Sequence, residues 1–396
     1  MIQIIKSVLD TDLYKLTQQF FVIQHYPDVD VEYTFSNRDK SMKFNYDFLS
    51  EFYNQIKLLS IVRLSNEEHD WVKETLSFLP VTYRQYLSSY RFNPDQVFAK
   101  INDDGELYID IKGKWRDTIL WEVPLMAIIS ELYFKMIDTN WTMHDQENKM
   151  FEKGRTLSTN KCKFADFGTR RRRSYETQDL LVKTLSHYRS GGFVGTSNPH
   201  LAMKYDLNPI GTCAHEAIAG VAALDSLNHP NKVFMEKWTQ TYGGRLGIML
   251  PDTFGTDSFL KDFSIEKAKL WDGVRHDSGD PLVFKDKIID HYKKLNIDTR
   301  SKTIVFSDSL TTKKACDIGY ICRKSGVQSS FGIGTHFTND FCTDTIPYDK
   351  KSKPLNMVIK LTKADGIPVV KLSDTPEKSI GDPKMVDVMK YIHNKI

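Results

Sequence analysis

The chain lacks a charge excess, a cysteine framework and a long apolar run, and each absence removes a class of answer. Lysine and arginine number 54 against 51 aspartates and glutamates, a formal net charge of +3. That balance argues against a dedicated nucleic-acid binder, which shows a strongly basic stripe, but permits local basic pockets for phosphates. The five cysteines, Cys162, Cys213, Cys316, Cys322 and Cys342, include no Cys-x-x-Cys pair. Neither a disulfide framework nor a zinc site is favoured, and a reducing compartment is the simple reading. No stretch approaches the roughly 18 uninterrupted apolar residues of a membrane span. Met1 to Ser7 is apolar too briefly for a signal peptide and lacks the basic start and cleavage pattern. A cytoplasmic protein with no membrane or nucleic-acid partner is expected. Nucleotide and zinc signatures are also missing. There is no GxxxxGK[ST], no GxGxxG leading into a helix and an acid, and HExxH fails because Ala219 stands four residues after His215. We find no internal repeat or low-complexity segment; the acidic stretch 66–70 and the lysine-rich 350–353 read as solvated surface.

What remains is an ordinary globular composition, 40% hydrophobic and 27% charged over 396 residues, long enough for two or three domains and a sizeable core. Asp10, Thr11 and Asp12 offer N-cap oxygens for a helix over 8–26, with Leu13, Leu16, Phe20 and Ile23 at helical spacing. Val31 to Phe35 alternates as a strand, 45–78 reads as helices, and 96–111 reads as a hairpin turning at Asp104-Gly105. A long apolar helix is expected over 119–137, broken early by Pro124. After about residue 160 the rhythm changes. Short apolar strands near 162–167, 192–196, 210–214, 246–250, 270–275, 303–307 and 328–333 alternate with helices near 176–189, 199–206, 214–226, 230–242, 257–269, 280–295 and 311–325. Such alternation implies parallel βαβ units, and seven strands approach a closed barrel. Some connections are short, so the expected fold is an irregular α/β barrel. A final hairpin, 356–361 and 369–372 around Ala364-Asp365-Gly366, is expected to return to the N-terminal sheet. The N-terminal domain is then discontinuous: 1–140 and 351–396 flank a barrel of 141–350.

In a barrel, ligands collect at the C-terminal ends of the strands, and the polar clusters of this chain fall there. Arg275, His276, Asp277 and Asp280 lie within six residues at one strand end. Asp166-Phe167-Gly168-Thr169-Arg170, Gly195-Thr196-Ser197-Asn198, Phe306-Ser307-Asp308-Ser309 and Phe331-Gly332-Ile333-Gly334-Thr335 follow the same grammar. An arginine there neutralises an acid group, and carboxylates grip sugar hydroxyls or a metal. Five such ends suggest one shared mouth for an anionic, hydroxyl-rich ligand.

Each motif has a plainer reading. Arg170-Arg171-Arg172-Arg173 reads equally as a solvated helix start; a basic run is a weak RNA signal. Following a strand end and preceding a helix, it also reads as an anion site, with Arg170 nearest the strand as phosphate clamp and the others partly outward. Gly332 and Gly334 read as a tight turn or as free N–H groups for a phosphate. A lone histidine is commonly structural, but His215 sits at a strand-to-helix junction on the same rim, where imidazole serves as nucleophile or proton carrier. Strand alternation turns His276 away from the mouth. Cys213 has no evident base.

Taken in order, Asp10-Thr11-Asp12-Leu13-Tyr14-Lys15, Phe35-Ser36-Asn37-Arg38, Trp121-Glu122-Val123-Pro124-Leu125, Asp166 to Arg171, Gly195 to Asn198, Gly211-Thr212-Cys213-Ala214-His215-Glu216, Arg275 to Pro281, Val305 to Asp308 and Ser330 to Thr335 make the chain resemble the nicotinate phosphoribosyltransferases over nearly its whole length. The resemblance implies a type II phosphoribosyltransferase fold, a distorted α/β barrel joined to an open-faced α+β sandwich domain. It implies ATP-coupled transfer of phosphoribosyl from 5-phosphoribosyl 1-diphosphate (PRPP) to nicotinate, giving nicotinate mononucleotide and diphosphate, the first step of salvaging nicotinate into NAD. Mg²⁺ as cofactor and a homodimer with shared sites come with it. Matched position by position, Tyr14 and Phe167 look like the sandwich for the pyridine ring, Tyr14 being donated across the dimer. Arg275 looks like the partner of the nicotinate carboxylate. Ser197 stands where the nicotinamide-using sister enzymes have Asp, and favours nicotinate. Asp277 and Asp308 resemble ribose-hydroxyl or Mg²⁺-facing carboxylates; Arg170, Gly332 and Gly334 resemble 5′-phosphate binders; Arg38 resembles a residue reaching from the adjacent subunit. His215 matches the histidine that becomes phosphohistidine. The metal ligands stay open. The nucleophile is the pyridine nitrogen, which needs no base, so no Ser-His-Asp set is expected. The alternatives are a nicotinamide phosphoribosyltransferase, which Ser197 opposes; a quinolinate one, which needs basic residues for a second carboxylate; and a non-catalytic phosphosugar- or RNA-binding protein resting on the arginine run.

Overall fold

Thirteen strands and the helices between them are described by a computed structural model over residues 3–375 and 379–393. The strands are β1 (Asp30–Asn37), β2 (Val97–Ile101), β3 (Leu107–Lys114), β4 (Lys163–Asp166), β5 (Phe193–Thr196), β6 (Ile248–Met249), β7 (Gly273–His276), β8 (Thr303–Phe306), β9 (Gln328–Ile333), β10 (Phe341–Cys342), β11 (Lys351–Ser352), β12 (Met357–Ala364) and β13 (Ile367–Pro368). One sheet is antiparallel, in the order β13-β12-β1-β3-β2; another is six-stranded, in the order β5-β4-β9-β8-β7-β6, with every ladder parallel. β10 and β11 pair with each other.

Short-range chemistry explains most of these elements. In β2 the buried Val97, Ala99 and Ile101 alternate with exposed Phe98 and Lys100, the signature of a sheet with one covered face. Asp280 accepts from Leu282 N and Val283 N at 2.8 and 2.9 Å, and Pro281 opens the helix Pro281–Lys294 behind it. Asn198 and Pro199 start Pro199–Lys204 in the same way. Asp365 and Gly366 turn the last hairpin with φ of +46° and +77°, the two left-handed positions of a tight hairpin turn.

Several expectations are corrected. The helix Glu122–Met136 is not broken by Pro124; proline sits in its first turn, where no backbone acceptor awaits an N–H. Helices Val81–Ser89 and Gln146–Thr159 were not anticipated; the second buries only Gln146, Met150, Gly154 and Leu157, too thin a stripe to show in the sequence. The helix over 8–26 begins only at Leu13, because Asp10 and Asp12 hold side chains elsewhere rather than capping. The segment 210–214 is no strand. Pro209 makes one bridge to Thr196, Ile210 N reaches Thr196 O at 2.8 Å, and no ladder joins β5 to β6 among the described residues. Gly211 and the start of a helix at His215 leave this stretch too short to pair on both sides. After β13 the chain leaves the sheet sooner than expected: Val369 N still bonds Thr362 O at 2.9 Å, but Leu372 N bonds Thr253 O at 2.8 Å, in the turn that follows β6.

One hydrophobic core joins the layers. Val31, Tyr33 and Phe35 of β1, most of Glu122–Met136, and Phe164, Val274, Ile304 and Phe331 of the parallel strands belong to a single buried cluster. Among the described residues no helix is long and apolar enough to cross a membrane.

Candidate active site

The C-terminal ends of the parallel strands open into a cavity of about 590 Å³. Tyr14, Arg38, Phe167, Arg170, Ser197, His215, Arg275, Asp277, Asp308 and Gly334 all line it. Parallel register explains the convergence: Asp166 pairs with both Thr196 and Ile333, and His276 with Phe306, so the residue after each strand emerges at one level.

At the end of β4, Asp166 is fully buried. It accepts Gly168 N at 2.8 Å, Gln178 Nε2 at 2.8 Å and Thr196 Oγ1 at 2.7 Å. Burial pushes its carboxyl up to about 6 despite those bonds. This knot shapes the turn that presents Phe167, half-buried on the cavity wall.

Gly332 is the one proposed site residue that does not line the cavity. It lies within the β4–β9 ladder, and a Cβ there would stand 2.3 Å from the Phe167 ring. A glycine there seats that ring, a role for Gly332 that needs no phosphate. Gly334 does line the cavity.

The arginine run is no solvated face, and of the three members expected to lie partly outward only Arg171 is part-exposed. Arg172 and Arg173 are fully buried. Arg172 makes a bidentate pair with Asp10 at 2.7 and 2.9 Å, which holds Asp10 below its ordinary pKa in spite of burial. Arg173 lies 3.5 Å from the Phe134 ring centroid, with Phe341 and Trp141 beside it, and donates to Ser352 Oγ at 3.0 Å. Arg171 donates to Met357 O at 3.1 Å and faces the cavity with Arg170. An RNA-binding patch is therefore not what this run builds.

Tyr14 and Arg38 line the cavity of their own chain, contrary to the expectation that each comes from a neighbour. The reason is local. Helix Leu13–His25 starts beside Ser197, with Leu13 N bonded to Ser197 O at 2.8 Å, and β1 with its partner β12 runs over the mouth. The Tyr14 hydroxyl is buried without a hydrogen-bond partner, and the Arg170 guanidinium lies 5.8 Å from its ring centroid. Ser197 Oγ donates to Asp12 Oδ1 at 2.6 Å. Asp12 is raised above its usual range by burial, against the opposing pull of Arg170 3.5 Å away. Arg275 donates to Thr212 Oγ1 at 2.9 Å and Cys213 O at 3.2 Å, leaving its buried Nε unpaired. Cys213 is fully buried and burial pushes its thiol up to about 11, which makes it a poor nucleophile.

His215 is the first residue of the helix His215–Leu224. Its Nδ1 lies 3.0 Å from Thr253 Oγ1; its Nε2 lies 3.1 Å from Asp277 Oδ2 and 3.5 Å from Asp252 Oδ1. Burial pushes the imidazole below its ordinary value, with Lys371 adding to that and the two carboxylates opposing it. A carboxylate only accepts, so the neutral ring carries its proton on Nε2 and turns the Nδ1 lone pair to Thr253. Asp277 also accepts from Ser307 Oγ at 2.7 Å and lies 3.5 Å from Arg275 Nη2. Burial works against its charge, yet Arg275 and His215 hold it well below the usual carboxylate range. His276 is turned away, packed against Phe284 and Phe306.

Sequence reasoning missed Asp252, Lys360 and Lys371. Asp252 follows β6 in Leu250-Pro251-Asp252-Thr253, the same strand-end grammar as the others, and was findable. Lys360 and Lys371 enter the cavity from β12 and the tail, a placement no local pattern announces. Lys360 is pulled down to about 8 by burial and by Arg38 and Lys371. The cations Arg38, Lys360 and Lys371 and the carboxylates Asp277 and Asp308 thus line one cavity, and Lys371 Nζ lies 3.8 Å from Oδ2 of the buried Asp252. One nitrogen of His215 and one oxygen each of Asp252 and Asp277 lie within 4.8 Å of one another, and the buried Asp252 Oδ1 accepts no hydrogen bond.

Comparison with known proteins matches this architecture. Residues 162–395 match the model of the nicotinate phosphoribosyltransferase (NAPRTase) family, and residues 9–130 match that of its N-terminal domain. A nicotinate phosphoribosyltransferase of Methanosarcina acetivorans is 44% identical, with 98% of each chain covered. One of Saccharomyces cerevisiae is 40% identical, covering 98% of this chain and 94% of that one. A crystal structure of the nicotinate phosphoribosyltransferase from Porphyromonas gingivalis superposes with a TM-score of 0.93 at 35% identity, over 100% of both chains. Two family models that together span most of the chain, and relatives matched from end to end, lead to one conclusion: the chain belongs to the nicotinate phosphoribosyltransferase family.

Proposed function

We propose that this chain transfers the 5-phosphoribosyl group of PRPP to nicotinate, forming nicotinate mononucleotide and diphosphate with ATP hydrolysis coupled. The observation that carries the reading is His215 held neutral between Thr253 and Asp277 in the same cavity as Tyr14, Phe167 and Arg275. The type II fold fits it, read as an irregular barrel with 209–213 crossing where a closing strand would run. The domains follow as 1–140 and 351–396 around 141–350. A cytoplasmic setting agrees with five free cysteines.

Tyr14 and Phe167 stack the pyridine ring, and Arg275 turns its unpaired Nε and its cationic charge to the nicotinate carboxylate. Ser197 selects against nicotinamide through Asp12: the hydroxyl that donates to Asp12 lets that carboxylate stay clear of the substrate anion, whereas Asp at 197 would set two carboxylates together. Arg170 and Gly334 take the 5′-phosphate, with Arg171 beside them. Asp277 and Asp308 take ribose hydroxyls, and Arg38, Lys360 and Lys371 take the diphosphate. These dipoles and cations favour charge leaving with the diphosphate as the ribose turns cationic. His215 accepts the phosphoryl group of ATP, with ADP leaving; burial keeps the ring unprotonated, so Nδ1 retains its lone pair, which Thr253 Oγ1 must yield to the phosphorus.

The orphaned oxygen of buried Asp252, with Asp277, fits a Mg²⁺ ion bound together with phosphates. When bound, such an ion neutralises phosphate charge.

The test is nicotinate mononucleotide formation with and without ATP, by wild type and His215→Ala, with nicotinamide as competitor. ATP should stimulate wild type alone, and nicotinamide should be a poor substrate. Full ATP stimulation in His215→Ala would remove the histidine from the mechanism. Product from nicotinamide at the nicotinate rate would remove the selectivity argument.

A further inference from the structure

Beside His215 lies a buried charge cluster, Lys15, Glu122 and Glu216, that the reaction above does not use. Glu216, the next residue, is an acid in the first turn of the helix His215–Leu224, where a carboxylate commonly just faces free N–H groups. Here it is turned into the protein. Its Oε1 accepts from Trp115 Nε1 at 2.9 Å and Tyr33 Oη at 2.5 Å, and its Oε2 accepts from Lys15 Nζ. Lys15 has no exposed side-chain surface and also holds Glu122 Oε2 at 2.6 Å. Glu122 Oε1 lies 3.6 Å from Arg170 Nη1, and Arg170 Nε lies 3.5 Å from Asp12 Oδ2. Gln18 adds a bond to Ala214 O at 3.0 Å, just before the histidine.

We propose that Glu216 is a positioning residue for His215, fixing the imidazole against Asp277 and Thr253 by anchoring the first helical turn to Lys15, Tyr33 and Trp115, and that the row Asp12-Arg170-Glu122-Lys15-Glu216 ties that anchor to the substrate end of the cavity. This rests on the reading of His215 as the phosphorylated residue. The anchors come from three separate elements, Leu13–His25, β1 and Trp115–Thr118, so the turn is held from several directions. Lys15 follows Tyr14 directly, so the helix that offers a ring to the substrate also grips the histidine's helix. Burial disfavours the Lys15 charge, and Glu122 and Glu216 hold its pKa above the ordinary lysine value all the same. Among the described residues Glu216 alone joins that cation to the first turn of the histidine's helix.

The experiment measures transfer of label from [γ-³²P]ATP to the protein, with nicotinate KM and kcat, for wild type, His215→Ala, Glu216→Gln and Tyr33→Phe. Glu216→Gln keeps the shape and one acceptor oxygen but removes the charge held by Lys15. Labelling should fall at least tenfold and kcat with it, while nicotinate KM moves less than threefold. Tyr33→Phe removes one hydroxyl and should lower labelling about threefold. Wild-type labelling in Glu216→Gln overturns the proposal, as does a loss that only tracks the unfolded fraction seen by circular dichroism. If Glu216→Gln does not fold, Tyr33→Phe decides, and its labelling at the wild-type rate is fatal. Wild type that takes no label, or His215→Ala that takes as much, fails at the control and removes the reading of His215 and this inference with it.

Discussion

Asp277→Asn tests the histidine most directly, because the replacement keeps the shape and changes only charge and donor pattern. Asp277 Oδ2 sits 3.1 Å from His215 Nε2. Exchanging a charge-assisted hydrogen bond for a neutral one forfeits roughly 1–2 kcal/mol. Phosphorylation adds positive character to the ring, and two unit charges at this distance interact by roughly 5 kcal/mol at an effective dielectric constant of about 20. The loss lies between those bounds, and about 2–3 kcal/mol is expected, roughly 30- to 150-fold in the phosphorylation rate. The pH profile carries a second signature. Asp277 raises the histidine's pKa, so its loss lets burial depress the group further. Activity is lost as pH falls through that pKa, so the acid limb moves to lower pH while the plateau drops. Single-turnover labelling from [γ-³²P]ATP between pH 5 and 8.5 reads both. A plateau within threefold of wild type, or an acid limb shifted upward, refutes the reasoning. Ser307→Ala removes only the hydroxyl 2.7 Å from Asp277 Oδ1 and should cost about 1 kcal/mol, near fivefold.

Three further outcomes are expected. Gly332→Ala places a Cβ 2.3 Å from the Phe167 ring; about 1–3 kcal/mol of overpacking should displace the ring and raise nicotinate KM tenfold or more, and an unchanged KM removes Phe167 as a stacking face. Lys360, held near 8, should lose its proton between pH 7 and 9, so the KM for PRPP rises across that range in wild type and is high and flat in Lys360→Met; an identical pH dependence in both means that another group titrates. Asp10→Asn leaves Arg172 buried and half-paired and should destabilise by about 3–5 kcal/mol in urea. Because Asp10 titrates below 3.8 when folded, the pair's stabilisation is present above the unfolded value and lost as pH falls below it, and a variant within 1 kcal/mol of wild type would show the pair to be neutral in effect.

The site was legible where its signals are local. Five strand ends announced themselves as apolar runs stopping at Gly, Asp, Ser or Arg, and all five, with His215, share one cavity. Such signals survive because a strand's period and a helix's cap are set within a few residues. The failures have one cause in common. Asp10 and Asp12 read as caps but are engaged by Arg172 and Ser197, 162 and 185 residues away. Arg172 and Arg173 read as surface because a charged run is normally solvated, and partners from remote segments, Asp10, Ser352 and three aromatic rings, make their burial tolerable. Gly332 read as a phosphate turn because nothing in Phe331-Gly332-Ile333 tells that an aromatic ring lies across it.

Sequence alone settled the βαβ alternation, which polar residues stand at the strand ends, and the family, because these depend on residue order and on spacings of a few positions. Tertiary structure alone decided that Tyr14 and Arg38 line their own chain's cavity, that Lys371 reaches Asp252, and that His215 is clasped by Asp277 and Thr253. Those outcomes depend on how two sheets pack over one core, and packing joins residues whose separation along the chain carries no local trace of their meeting.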